Sequence, residues 1–350
     1  MGRKLLWAML ALAPVAFLLR YAFHAGDVTL FAVSAAALVP LAWLIGEATE
    51  HAGRHTGPGI GGFLNASFGN APELIIALFA VSDGLPNVVR GSLIGSVVSN
   101  LLLVLGLALV AAPDKRRAVD LHSLLPQLGL VLAAALLFLI PAIPGWHGNP
   151  ERHSLALAST PVAAVLLLLY LGATAWSLRR HKRRHAESGA QAGDGWTLPR
   201  ALAALAAATV ATALVSEILV HSLKTFAEQA HLSQFFVAVV IVAIVGNAAE
   251  HGGAVVLARR GGNLPLATEI AVSSSTQVAL LVTPAVVLLS WLVKPALPLS
   301  FRPVELAALG GSVLCVGLLL RDRSVRRWEG LALVGVYVVA AVGFGLAGDR

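Results

Sequence analysis

Two segments of this chain repeat each other, and each sets a glutamate in an apolar stretch. Gly69-Asn70-Ala71-Pro72-Glu73 is matched 177 residues later by Gly246-Asn247-Ala248-Ala249-Glu250. The spacing carries into the next stretch, where Ser96-Val97-Val98-Ser99-Asn100 meets Ser273-Ser274-Ser275-Thr276-Gln277. A register kept without a gap over two consecutive segments indicates a duplicated unit rather than one motif recurring by chance. A carboxylate in hydrocarbon is costly and normally marks an ion or proton pathway. Two of them in repeated polar settings predict a site where two repeats meet.

The rest of the sequence supplies the membrane. It is 57% hydrophobic and 12% charged, with mean hydropathy +0.81, whereas soluble domains carry about 25% charged residues. A span needs about 20 mostly apolar residues. Eleven stretches qualify, near 5–23, 28–49, 58–81, 87–111, 119–143, 155–177, 198–222, 234–258, 264–289, 303–320 and 329–347. The fold class is therefore an all-α polytopic membrane protein. The run from Leu5 to Phe23 is long for a signal peptide and lacks a clear cleavage site, so it reads as a retained first helix. The single cysteine, Cys315, excludes an intrachain disulfide.

The net charge of +7 reads as a topology signal rather than as a nucleic-acid surface. Arg3, Lys4, Arg54, Lys115, Arg116, Arg117, the cluster from Arg179 to Arg184, Arg200, Arg259, Arg260 and the basic residues from Arg321 to Arg327 fall on one side. The positive-inside rule makes that side cytoplasmic, with the N-terminus inside and the C-terminus outside. The organisation that follows is an extra N-terminal helix in 1–26, a first repeat in 27–177, a basic cytoplasmic linker in 178–199 and a second repeat in 200–350. Five spans per repeat is an odd number, so the second repeat is inverted relative to the first.

The chemistry expected at the repeat interface is oxygen chemistry. Asn70 and Glu73 are three residues apart and share a helix face, as do Asn247 and Glu250. Pro72 removes a backbone donor and disturbs its helix, while Gly246 supplies flexibility in the second copy. Ser96 and Asn100 line one face, with Ser99 beside them; Ser273, Thr276 and Gln277 repeat the set. Two carboxylates with neutral oxygens suit a hard cation, Ca²⁺ above all, and match Glu73 and Glu250 as metal ligands. Na⁺ or K⁺ at the same site is the alternative substrate. Protons competing for the same carboxylates give the simplest antiport. Glu47 and Glu217 form a weaker second pair, expected near the inner and outer ends of their spans as a proton relay or gate. His251 is a further relay candidate, set about 100° around the helix from Glu250. The basic linker would touch anionic lipid. No H-E-x-x-H, G-x-S-x-G or nucleotide-binding loop occurs, which disfavours an intramembrane enzyme or an ATP-driven pump. The paired halves within one chain disfavour a passive channel.

These residues resemble the calcium/proton exchanger family of the calcium:cation antiporter superfamily. The resemblance is carried by Gly69-Asn70-Ala71-Pro72-Glu73-Leu74-Ile75, Gly246-Asn247-Ala248-Ala249-Glu250-His251, Gly46-Glu47-Ala48-Thr49-Glu50 and Ser274-Ser275-Thr276-Gln277. It implies a secondary transporter with Glu73 and Glu250 as the central cation- and proton-binding acids, and Asn70, Asn247, Asn100 and Gln277 lining the site. It implies no cofactor beyond transported Ca²⁺ and a multi-pass protein of the bacterial inner membrane, with assembly as a homo-oligomer left open. One departure is that the linker is basic where many members carry an acidic stretch.

Overall fold

The computed structural model describes residues 3–113, 118–184, 195–261, 263–321 and 325–349. The centre of the basic linker and the cluster Lys115–Arg117 lie outside them. Every element is a helix: α1 (Arg3–Met9), α2 (Leu12–Tyr21), α3 (Asp27–Gly69), α4 (Ala71–Ser82), α5 (Pro86–Val98), α6 (Leu105–Ala111), α7 (Leu121–Gly145), α8 (His153–Arg184), α9 (Leu198–Gln229), α10 (Gln234–Phe236), α11 (Ala243–Gly246), α12 (Ala248–Gly261), α13 (Leu264–Gln277), α14 (Thr283–Val293), α15 (Pro303–Leu319) and α16 (Arg327–Ala347). Three π-helical turns, Ser99–Val104, Val237–Val242 and Val278–Val282, join α5 to α6, α10 to α11 and α13 to α14.

Among the described residues, eight helical stretches are long and apolar enough to cross a membrane. A ninth is formed if α10–α11 and α12, bent by 57° at Asn247, count as one span. Ala71–Ser82 and Pro303–Leu319 are apolar but shorter. Two boundaries differ from the sequence expectation. Residues 50–57 are helical rather than a loop, and α8 runs on to Arg184, into the stretch read as linker.

The long α3 nevertheless reverses direction. A Cβ built on Gly53 would lie 3.2 Å from Gly61 Cα, and one on Gly61 would lie 2.8 Å from Gly53 Cα. Eight residues along a straight helix cover about 12 Å, so the path folds back between them. Glycine at both positions lets the two backbones touch.

The first part of α3 packs antiparallel along α9. Phe31 stacks on Phe226 at 4.1 Å, and Thr225 donates to Asp27 at 2.7 Å. At the other end Ile45 and Ala48 pack with Leu205 and Ala208. Lipid gives helices no hydrophobic reason to associate, so close packing and hydrogen bonds must hold them. Gly95 shows this packing: a Cβ there would sit 2.1 Å from Val239 O. Some buried charged groups away from the centre have local partners. Glu305 and Glu329 cap α15 and α16 by accepting from the Arg302 and Arg326 amides at 2.9 and 2.8 Å. Arg90, 1% exposed, donates to Glu151 at 2.8 Å and to Ser300 at 3.1 Å.

Candidate cation and proton site

The two repeated motifs break their helices at the same residue. Asn70 sits at φ −100°, ψ 15° between α3 and α4, and Asn247 at φ −93°, ψ 5° between α11 and α12. The second copy has no proline, so Pro72 does not cause the break; it occupies the first turn of α4, where a missing N–H costs nothing. In both copies the Asn carbonyl starts the next helix, accepting from Leu74 N at 3.1 Å and His251 N at 2.9 Å. Glu73 and Glu250 therefore lie in the first turn of half-helices, beside the positive end of the backbone dipole.

Each glutamate reaches toward the other motif. A Cβ on Gly246 would meet Glu73 Oε1 at 3.3 Å, and one on Gly69 would meet Glu250 Oε1 at 3.6 Å. The two carboxylates are close enough to repel each other. Ser274 hydrogen-bonds Glu250. Oε2 of each glutamate is buried and has no hydrogen-bond partner. Buried polar atoms are normally paired, so two such oxygens make this the candidate place for a cation or proton.

The flanking amides tie the halves together. Asn70 Nδ2 donates to Gln277 Oε1 at 2.6 Å, and Asn247 Nδ2 to Ser96 Oγ at 2.9 Å. Asn100 Nδ2 donates to Ser274 Oγ at 2.9 Å. His251 Nε2 lies 2.8 Å from Asn100 Oδ1. That oxygen can only accept, so the imidazole carries its proton on Nε2. His251 thus serves the amide network rather than touching Glu250 in sequence order.

Other candidates stand apart. Ser99, Ser273 and Thr276 donate to carbonyls of their own helices, Ser96 O, Ile270 O and Val272 O, at 3.2, 3.2 and 2.9 Å. Glu47 pairs with Arg3 and lies 3.5 Å from His51 Nε2. Glu217 is exposed on α9. Glu217 lies between the Leu205–Ala208 and Phe226 contacts of α9 with α3 rather than at the end of its helix. One site residue escapes the duplication argument: Ser274, which hydrogen-bonds Asn100 and has the apolar counterpart Val97. Among the described residues no three His, Cys, Asp or Glu side chains cluster as a metal centre, so the remaining polar groups around the two carboxylates are neutral amides and hydroxyls.

Access to the centre is one-sided. Ser96 and Asn100 are each 1% exposed, while their counterparts Ser273 and Gln277 are partly exposed. Ile76 is 1% exposed and its counterpart Gly253 is exposed. Glu73 is buried and Glu250 partly exposed. The more exposed member of each of these pairs lies on α12 or α13.

A family profile described as sodium/calcium exchanger protein matches residues 27–179 and 200–345. The chain is 38% identical to the Ca²⁺/H⁺ antiporter ChaA of Bacillus subtilis, covering 92% of this chain and 93% of that one. It is 32% identical to a Ca²⁺/H⁺ antiporter of Aphanothece halophytica, covering 97% and 95%. Its fold matches the structure of native YfkE with TM-score 0.83 and 34% identity, over 97% of this chain and 99% of that one. An H⁺/Ca²⁺ exchanger, CAX, matches with TM-score 0.71 at 17% identity, over 99% and 92%, and speaks to the fold alone.

Proposed function

This chain belongs to the sodium/calcium exchanger protein family, and we propose that it works as a secondary active Ca²⁺/H⁺ antiporter. Glu73 and Glu250 hold one Ca²⁺ or the protons exchanged for it. The observation that carries this reading is the pair of buried carboxylates, each against the other motif's glycine and each with an unpartnered oxygen. The names of the two bacterial relatives support Ca²⁺ and H⁺ as substrates.

Charge sets the stoichiometry. Two carboxylates carry two negative charges, neutralised by one Ca²⁺ or by two protons. Exchange of one for two leaves the site neutral in both directions of the cycle and avoids moving bare charge through hydrocarbon. Ca²⁺ takes six to eight oxygens at about 2.3–2.6 Å. Both carboxylates, the Asn70, Asn247 and Gln277 amides and the Ser274 hydroxyl supply oxygens around the centre.

The architecture in this reading has eleven spans. Arg3–Tyr21 precedes two inverted sets of five, with the bent pair at Asn247, the returning half of α3 with α4, and α15 each counted as spans. The N-terminus and the 178–199 linker face the cytoplasm of a bacterial inner membrane. The one-sided opening is then the inward-open state, and sliding of α3 and α9 against the central helices opens the other face.

The test is ⁴⁵Ca²⁺ uptake into proteoliposomes under an outward proton gradient, with a protonophore control and Glu73→Gln in parallel. Uptake that collapses in both controls supports the reading. No calcium uptake, with the gradient dissipated by Na⁺ or K⁺ instead, replaces it with monovalent cation/proton exchange at the same site.

A further inference from the structure

One face of α13 is open along its whole length. Asn263, Leu266 and Glu269 are exposed, and Ser273 and Gln277 are partly exposed, whereas Val272, Ser275 and Thr276 are buried. At 3.6 residues per turn the open positions form one stripe. It runs from the start of the helix to Gln277, which binds Asn70 at 2.6 Å. On α5 the equivalent positions Ser92, Ser96 and Asn100 are 7%, 1% and 1% exposed. The stripe therefore exists at one end of the molecule only.

Glu269 is the one carboxylate on it. Its counterpart is the neutral Ser92, so it is not a copy of anything in the duplicated site. Its Oε1 accepts from Ser123 Oγ of α7 at 2.9 Å, which ties the exposed carboxylate to the edge of the stripe. Arg259 precedes α13 in the chain, so a cation approaching the start of this helix gains from a negative charge farther along it.

We propose that Glu269 is a cation-attracting residue at the mouth of this stripe, raising the local concentration of the metal cation on its way to Gln277 and Asn70. The proposal rests on the exchanger reading for its biological use. The attraction itself does not, and the experiment separates them.

Ser273 lies one turn inward of Glu269, about 6 Å away. In a Cys315→Ser background, Ser273→Cys is reacted with a cationic and an anionic methanethiosulfonate. Coulomb attraction and repulsion at that distance in water predict a cation-to-anion rate ratio about tenfold higher with Glu269 than with Glu269→Gln. The difference should shrink in about 1 M salt, where the Debye length is about 3 Å, and Glu269→Asp should restore it. A ratio indifferent to Glu269, or no reaction with either reagent, overturns the proposal. In transport, Glu269→Gln should raise the KM for Ca²⁺ about threefold at low salt, from a charge about 12 Å from Gln277. The rise should appear only when Ca²⁺ is offered on the side of the 259–263 connection. A protein that labels as expected yet carries no Ca²⁺ removes the exchanger reading and leaves the role of Glu269 intact.

Discussion

Glu73 and Glu250 are alike in sequence and unlike in surroundings: Glu73 is buried, while Glu250 is partly exposed and hydrogen-bonded by Ser274. In the proposed antiporter, neutralising either would remove one of the two charges that balance Ca²⁺. Glu73→Gln and Glu250→Gln should each abolish proton-driven calcium uptake while the protein still inserts and purifies normally; a near-normal rate in either would rule out the two-acid site. Asn100 is the sharper test of the surrounding network. It joins His251 to Ser274, so Asn100→Ala strands two buried donors or acceptors, at about 1–3 kcal/mol each. Uptake and thermal stability should both fall. Ser99→Ala and Thr276→Ala delete buried hydroxyls that bond backbone carbonyls, Ser96 O for the first and Val272 O and Gln127 O for the second, and should each cost about 1 kcal/mol of stability while keeping most of the uptake rate. Equal losses of uptake in all three would mean that the hydroxyls are ligands after all. The sequence made Glu73, Glu250 and the four amides legible because they are duplicated in register. It hid Ser274 because its counterpart is a valine, and residue type alone does not reveal that the Ser99 and Thr276 hydroxyls bond backbone carbonyls.

At the scale of the element, the helix break at the site belongs to the Gly-Asn pair. Asn70 and Asn247 share one backbone geometry although only the first copy has a proline. Pro72→Ala should therefore keep most of the uptake rate, and a loss as complete as that of Glu73→Gln would return the break to the proline. Gly95 should be far less tolerant. Its missing Cβ leaves room for the Val239 carbonyl, so Gly95→Ala forces α5 away from the 237–242 turn. The expected cost is about 1–3 kcal/mol, read as a lower unfolding temperature in detergent. Apolar length and punctuating Pro, Gly and charge located the helices well. They did not show that α3 stays helical through its reversal at Gly53 and Gly61, because a glycine-rich polar stretch reads as a loop until the backbones are seen to touch. The π-helical turns left no sequence signal either, being products of packing between helices.

Across the whole molecule, coupling depends on what the empty site may do. With Glu73 and Glu250 both ionised and no cation bound, the centre carries two negative charges. Closing the inner opening over them and opening the outer side would occlude uncompensated charge in low dielectric, at a cost of several kcal/mol. In the proposed cycle the loaded and the doubly protonated sites are neutral, so they would cross without that cost. The buried outer half therefore reports the crossing. Ile76, 1% exposed here, is the counterpart of the exposed Gly253. In a Cys315→Ser background, Gly253→Cys should react readily with a membrane-impermeant thiol reagent applied from the 259–263 side. Ile76→Cys should react only slowly from the opposite side in the absence of substrate. Saturating Ca²⁺ should accelerate the Ile76→Cys reaction, and so should combining it with Glu73→Gln and Glu250→Gln, which neutralise the site permanently. If Ile76→Cys labels at one rate with and without Ca²⁺ and with either form of the site, the empty carrier crosses as easily as the full one. The two charges would then not be what makes the exchange obligatory.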